Sequence, residues 1–240
     1  MANGRLFLVP TLLGGGVPGD VLPARTIAAV RALRRFVAEN AKSARAFLKA
    51  VEMPVAMQEI AIDELNEHTP PDRVAALLQP ALGGDDVGLL SDAGCPAVAD
   101  PGGALVAAAH RARIVVVPLV GPSSILLALM ASGLNGQGFA FHGYLPAKSE
   151  PRSAALRKLD ADARNTGISQ IFIEAPYRNP AMLASIVAVC TADTLLTVAA
   201  DLTLSTEEVA TISVADWKKR DAERYRNRPA IFLLGRPPLR

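Results

Sequence analysis

Residues 87–102 (VGLLSDAGCPAVADPG) carry the densest chemical information in the chain. A short apolar run, Val87-Gly88-Leu89-Leu90, stops at Ser91-Asp92-Ala93-Gly94, and small residues lead on to Asp100-Pro101. A buried strand that ends this way delivers a ligand loop at its carboxyl end, where open α/β sheets place their sites. The construction recurs at once, with Ile114-Val115-Val116-Val117-Pro118 as the strand and Gly121-Pro122-Ser123-Ser124 as the start of a helix. A helix start presents unsatisfied backbone N–H groups, so Ser123 and Ser124 with their neighbouring amides suit a carboxylate or a ribose hydroxyl. Asp92, at a strand's carboxyl end, is a candidate ligand contact, whereas Asp100 reads as a helix cap. Glu39 follows a buried-looking strand, where an acid needs a partner. It is the candidate catalytic carboxylate, and Asn40 stands beside it.

These loops need a parallel sheet to hold them. Strand-like runs appear at residues 5–9, 36–38, 55–60, 87–90 and 114–117, with helical patterns between them, which predicts right-handed βαβ units. Helix starts are expected at Thr69-Pro70-Pro71-Asp72, Asp100-Pro101 and Asn179-Pro180, where caps and early prolines coincide. Beyond Gly121 the pattern changes. Strands at 139–142, 170–174, 195–199, 209–213 and 230–234 are separated by two clear helices, 153–163 and 181–190, and residues 203–213 read as part of a hairpin. The fold class is therefore α/β, with two α/β domains, residues 1–118 on a mainly parallel sheet and 119–240 on a mixed one. A helix over 122–132 bridges them.

Bulk properties exclude several alternatives. The chain has 240 residues, half of them apolar but only 5% aromatic, which suits an α/β protein rather than a disordered or fibrous one. A net charge of +2 does not by itself argue for nucleic acid. Basic residues bunch at Arg31, Arg34 and Arg35 and over 218–228 (KKRDAERYRNR), and both bunches read mainly as solvated faces. Cys95 and Cys190 form no paired spacing, and His68, His110 and His142 are scattered, so no metal site is expected. No run approaches the roughly 20 apolar residues of a membrane helix. A cytoplasmic protein is the expectation.

Five ordered segments, LFLVPT (6–11), LSDAGCPAVADPG (90–102), VPLVGPSS (117–124), FHGYLPAK (141–148) and IEAPYRN (173–179), resemble the tetrapyrrole (corrin/porphyrin) methylase family of S-adenosylmethionine-dependent methyltransferases. The most similar branch methylates a cytidine ribose in small-subunit ribosomal RNA. The resemblance implies a homodimer, and S-adenosylmethionine in a cleft between the two domains. Carried over by position, Pro10 and the stretch Asp92, Ala93, Gly94 and Cys95 would touch the cofactor. So would Ser123, Ser124 and Ile125, together with Glu174, Ala175, Asp201 and Leu202. Pro229, Ala230 and Ile231 complete the set. Asn40, Lys148, Tyr177 and Arg178 are the expected acceptor contacts, and Arg152 beside Lys148 could meet an anionic group. The acceptor that the resemblance implies is an RNA ribose hydroxyl or a tetrapyrrole-like small molecule.

The chain departs from that branch at Glu39-Asn40-Ala41-Lys42, where the branch reads glutamate-aspartate-threonine-arginine. It departs again at Ala200-Asp201-Leu202-Thr203-Leu204, in place of arginine-glutamate-leucine-threonine-lysine. The chain also ends soon after its last strand, where longer members carry a small extra domain. Two rival readings follow. One is a silent S-adenosylmethionine-binding protein. The other is an NAD-dependent oxidoreductase, because Gly14-Gly15-Gly16-Val17-Pro18-Gly19 matches G-x-G-x-x-G and Glu39 follows at the fingerprint distance. The mechanics oppose the second. Residues 10–13 separate the strand from the first glycine, and Pro23 interrupts the helix that must carry the pyrophosphate.

Overall fold

The computed structural model describes residues 3–237, which divide into a unit ending at Ser123 and a unit beginning at Ser124. The first unit runs β1 (Arg5–Val9), α1 (Pro18–Val21), α2 (Ala24–Ala32), β2 (Arg35–Ala38), α3 (Ala41–Ala50), a 3-10 turn at Met57–Glu59, β3 (Ala61–Glu64), α4 (Pro71–Ala76), α5 (Gln79–Leu82), β4 (Val87–Leu90), α6 (Gly102–Arg111) and β5 (Val115–Pro118). Its five strands lie in the order β3-β2-β4-β1-β5, and every pairing is parallel. All five carboxyl ends therefore share one edge. Period-two alternation splits the side chains between two cores. Phe7, Val9, Phe36 and Ala38 pack with Val30 of α2 and Leu48 of α3. Leu6, Val37 and Leu89 pack with Val74 of α4 and Leu105 of α6. The chain leaving β4 thus turns to one face of the sheet, while those leaving its neighbours β1 and β2 turn to the other. That divergence is the switch point at which open α/β sheets leave room for a ligand.

The second unit comprises α7 (Ser124–Ser132), β6 (Phe139–Tyr144), α8 (Ser149–Thr166), β7 (Ser169–Ile173), a 3-10 turn at Pro176–Arg178, α9 (Asn179–Val189), β8 (Leu195–Ala200), β9 (Glu208–Ser213), α10 (Val214–Trp217), a 3-10 turn at Ala222–Tyr225 and β10 (Ala230–Gly235). The sheet order is β6-β7-β10-β8-β9. β6 and β7 are parallel and the other pairings antiparallel, so the sheet is mixed as expected. One apolar core gathers Leu156 and Leu159 of α8, Met182 and Ile186 of α9, and Phe172, Val198 and Phe232 of the sheet. The rings of Phe172 and Phe232 stack 5.6 Å apart across the β7–β10 pair. α7 lies against β8, β9 and β10.

Several local expectations are corrected. Residues 55–60 are not a strand: β3 begins at Ala61, and Val55 and Met57 pack on the core from a loop and a 3-10 turn. The true strand, AIDE, is a mostly exposed edge strand, and its polar outer face hid it. Thr69 does not cap α4. Pro70 occupies that position, and the Thr69 hydroxyl instead accepts from the Asn66 N–H. Pro101 precedes the first residue of α6, and the Asp100 carboxylate accepts from the N–H groups of Gly102 and Ala97. α9 starts at Asn179-Pro180 as expected, but Asn179 is its first residue rather than its cap, and its amide N–H groups donate to the carbonyls of Tyr225 and Arg228. The bridging helix begins at Ser124 rather than Pro122. Residues 218–228 are not merely a solvated face, since Arg220, Arg224 and Arg228 all converge on Glu208.

Gly88 shows how tightly β2 and β4 meet. A Cβ there would fall 2.7 Å from the Phe36 ring and 3.0 Å from Leu33. Gly88→Ala is therefore expected to cost about 1–3 kcal/mol, the usual scale of overpacking. Urea unfolding measures it, and an unchanged midpoint would show that Phe36 can yield.

Candidate ligand-binding site

In the first unit, three strand ends are knitted together at the shared carboxyl edge. The Gly94 carbonyl accepts the Thr11 N–H at 2.9 Å and the Ser91 hydroxyl at 2.8 Å. Thr11 returns a bond from its own hydroxyl to the Ser91 carbonyl. Gly94 adopts a left-handed conformation (φ +74°), and a Cβ there would press to 3.0 Å from Leu13. That position suits glycine on both counts. From the β5 side, Cys95 Sγ lies 3.5 Å from the Pro122 carbonyl, and Gly121 fits so closely that a Cβ would sit 2.4 Å from Pro10. Pro10, Gly94, Cys95 and Pro122 are thus immediate neighbours. Asp92 and Ala93 project from this knot into solvent. Asp100 anchors the far side of the loop, where Ala97 and Ala99 also take left-handed angles. Left-handed alanine is strained, and the surrounding bonds must hold it.

Glu39 stands exposed at the end of β2. Desolvation raises its pKa above the usual carboxylate value, and the negative charges of Asp92, Asp100 and Glu67 add to the shift. Asp100 is raised in turn, mainly by burial. Asn40 caps α3, its side-chain oxygen accepting from the N–H groups of Lys42 and Ser43. The Ala41 N–H donates to Glu64, 23 residues on in sequence but paired with Ala38 at the end of β2.

In the second unit, register places the remaining expected contacts on one sheet edge. Ile231 pairs with Ile173 on one side and Ala199 on the other, and Ala230 pairs with Ala200. Glu174-Ala175, Asp201-Leu202 and Pro229-Ala230-Ile231 therefore leave or enter three adjacent strands together. The Asp201 N–H donates to the Pro229 carbonyl at 2.9 Å. The Asp201 carboxylate is already engaged, by Arg228 Nε at 2.8 Å and by the Thr206 hydroxyl. Glu174 is fully buried in its side chain and paired through Oε1 with Arg178 and the Ala175 N–H. Its Oε2 is buried without a hydrogen-bond partner. An orphaned carboxylate oxygen costs free energy unless some donor meets it.

The other expected contacts are dispersed. Lys148 is exposed at the start of α8, and Tyr177 is exposed beneath the Arg178 guanidinium. Arg152 is buried, holding Ser185 and the Ala147 carbonyl, so it is not free to meet an anion. Ser123 closes the first unit, and Ser124 and Ile125 open α7 in the second. Sequence reasoning missed Thr11 and Thr206, whose hydroxyls organise the two edges, and Arg228. Thr11 stood inside the LFLVPT segment, which was a usable signal. Among the described residues, no group of three or more His, Cys, Asp or Glu side chains is arranged to hold a metal.

The family model described as Tetrapyrrole (Corrin/Porphyrin) Methylases matches residues 14–217. A "Ribosomal RNA small subunit methyltransferase I" from Micromonospora olivasterospora is 37% identical over 86% of this chain and 62% of its own length. Proteins of the same name from Pseudomonas aeruginosa and Escherichia coli O157:H7 are 33% and 31% identical over 98% of this chain and 80% and 79% of theirs. Among solved structures, the methyltransferase CobJ superposes with a TM-score of 0.65 at 19% identity, covering 97% of this chain and 94% of its own. A uroporphyrin-III-C-methyltransferase from Thermus thermophilus gives 0.57 at 19% identity, covering 97% and 92%. These two likenesses establish the fold.

The raised Glu39 pKa has a definite sign. The folded state holds that proton more tightly than the unfolded chain, so its effect is favourable at acid pH and is lost as pH rises through the folded value. Glu39→Gln is expected to melt at or above the wild-type temperature at pH 7, and the difference should shrink toward pH 4. A Glu39→Gln variant less stable at pH 7 would mean that the carboxylate has a stabilising partner.

Proposed function

This chain belongs to the tetrapyrrole (corrin/porphyrin) methylases, a family of methyltransferases, and we propose that it moves a methyl group from S-adenosylmethionine to a ribose hydroxyl of small-subunit ribosomal RNA. One observation supports the RNA acceptor above all. The relatives of 31–37% identity over most of this chain share the name of a small-subunit ribosomal RNA methyltransferase. The cytoplasm is the proposed setting and a homodimer the proposed assembly. Among the described residues, no helix is long and apolar enough to cross a membrane.

The residues present fit the cofactor. It carries hydrogen-bond donors in its ribose diol, ammonium and adenine amine, and Glu174 Oε2 is a buried acceptor awaiting one. Asp92, Ala93, Gly94 and Cys95 with Pro10 and Ser123 would hold it from the first unit. Ser124, Ile125, Glu174, Ala175, Leu202 and the main chain of Pro229, Ala230 and Ile231 would do so from the second. Asp201 would contribute through its backbone, because its carboxylate is spent on Arg228 and Thr206. When bound, S-adenosylmethionine supplies a methyl group already activated by its sulfonium.

The protein's own task is then alignment and proton handling. Holding the acceptor oxygen in line can be worth about 7–11 kcal/mol, without any catalytic triad. Glu39 is the proposed base. Its pKa is raised by desolvation and by neighbouring carboxylates, and a base works best when its pKa approaches the working pH. Asn40 shapes that turn by capping α3, while Lys148, Tyr177 and Arg178 are proposed on the acceptor side.

Tritiated methyl transfer tests the reading. Label is expected in undermethylated small-subunit RNA, and label confined to a tetrapyrrole fraction would reassign the acceptor. No transfer to either, despite tight cofactor binding, would leave a silent binder. Calorimetry adds a test of register: Asp92→Ala is expected to weaken S-adenosylmethionine binding about tenfold, roughly one charge-assisted contact. Asp100→Ala should chiefly lower the melting temperature, and the reverse order would mean that the loop is misassigned. Heat from NAD alone would overturn the methylase chemistry.

A further inference from the structure

We propose that Arg228 is a positioning residue for the cofactor-binding edge of the second unit, an inference that rests on reading that edge as part of the S-adenosylmethionine site. The turn joining β8 to β9, residues 201–207, is backbone-strained: Asp201 and Thr203 both take left-handed angles (φ +52° and +73°). For β-branched threonine this is a costly conformation that its surroundings must impose. Internal bonds supply part of the restraint, from the Leu204 N–H to the Asp201 carbonyl and from the Thr203 N–H to Glu207.

Arg228 supplies the rest from outside the turn. Its Nε donates to Asp201 Oδ2 at 2.8 Å, its Nη2 to the Thr206 carbonyl at 2.8 Å, and its Nη1 to Glu208 at 3.2 Å. One planar fork thereby grips the beginning, the end and the exit of a single turn. The guanidinium rests on the Tyr225 ring, and the Arg228 carbonyl is held by the Asn179 amide at 2.7 Å. Arg228 immediately precedes Pro229, so the clasp fixes the peptides of Leu202 and of Pro229-Ala230 relative to one another. These groups are the ones proposed to meet the cofactor by main chain alone. A main-chain contact is only as well placed as its peptide, because no rotamer can compensate for a shifted backbone. Lysine offers a point charge on a flexible stem and cannot reproduce the fork.

The experiment is calorimetric titration of the full chain with S-adenosylhomocysteine, using Arg228→Gln and, as control, Arg224→Gln. Arg224 also binds Glu208, at 2.9 Å, without reaching Asp201 or Thr206. Arg228→Gln is expected to weaken binding at least tenfold and Arg224→Gln by less than twofold, whatever the order of their melting temperatures. If affinity instead tracks melting temperature across the variants, or if Arg228→Gln binds like wild type, the positioning role is wrong. Should Arg228→Gln fail to fold, Arg228→Lys gives the same readout. A loss of threefold or more supports the role, and unchanged affinity overturns it. Wild-type protein that takes up no S-adenosylhomocysteine overturns the cofactor reading itself, a different result from a wild type that binds beside an unaffected variant.

Discussion

The carbonyl oxygen of Gly94 is the point on which the first unit's candidate binding edge depends. It receives the Thr11 N–H from the end of β1 and the Ser91 hydroxyl from the end of β4, so two parallel strands finish in one shared acceptor. Parallel pairing puts every strand end on the same edge but does not join the loops that follow. Without the Gly94 knot, among the described residues only the bond from the Thr11 hydroxyl to the Ser91 carbonyl would hold the loop after β4 to the end of β1. The left-handed angle at Gly94 turns the carbonyl toward both donors, and the close approach of Leu13 leaves no room for a side chain. The β5 side is brought in by Cys95 and Pro122, and Gly121 admits Pro10 because it lacks a Cβ. The result is a short stretch of fixed backbone with Asp92 and Ala93 displayed upon it.

The second unit reaches a similar end by different means. Antiparallel register brings the ends of β7 and β8 beside the start of β10, and an ion-pair network then fixes the turns. Asp201, Thr206 and Glu208 share the Arg228 fork, and Glu208 also collects Arg224 and the Tyr225 hydroxyl. Burial pushes the Glu208 pKa up, but hydrogen bonds from Tyr225 and Arg228 and the charges of Arg224 and Arg228 together hold it below the usual carboxylate range, while burial first and Glu208 second raise Tyr225. Asn179 ties the same loop to α9. Most side chains at both edges are spent on holding backbone in place. That economy suits a methyltransferase, whose donor arrives activated and whose main requirement is geometry.

Much of this was legible in the sequence where local pattern and tertiary fate agree. The strands β1, β4 and β10 are continuous apolar runs because both faces are covered, and such runs announce themselves. The end of β4 and the irregular loop after it were readable from the abrupt change to small and polar residues. What was not legible depends on distant partners. β3 is an exposed edge whose AIDE pattern looks polar, while the apolar Val55 and Met57 beside it serve the core from outside any strand. Asn179 resembles a cap by sequence, yet its carbonyl partners lie 46 and 49 residues away. The basic stretch 218–228 looks solvated until β9 brings Glu208 beneath it. Asp201 was an expected cofactor contact by resemblance alone, and the fold shows its carboxylate committed to Arg228 and Thr206.

The proposed reading is that a backbone edge in each unit is a contact surface for S-adenosylmethionine. Hydrogen–deuterium exchange with and without S-adenosylhomocysteine reads that claim directly, peptide by peptide. Slowed exchange is expected in the segments covering residues 92–95, 121–125, 174–175, 201–202 and 229–231, with the amino-terminal ends of the parallel strands unchanged. Protection confined to one of the two units, or centred on residues 14–21 instead, would contradict it.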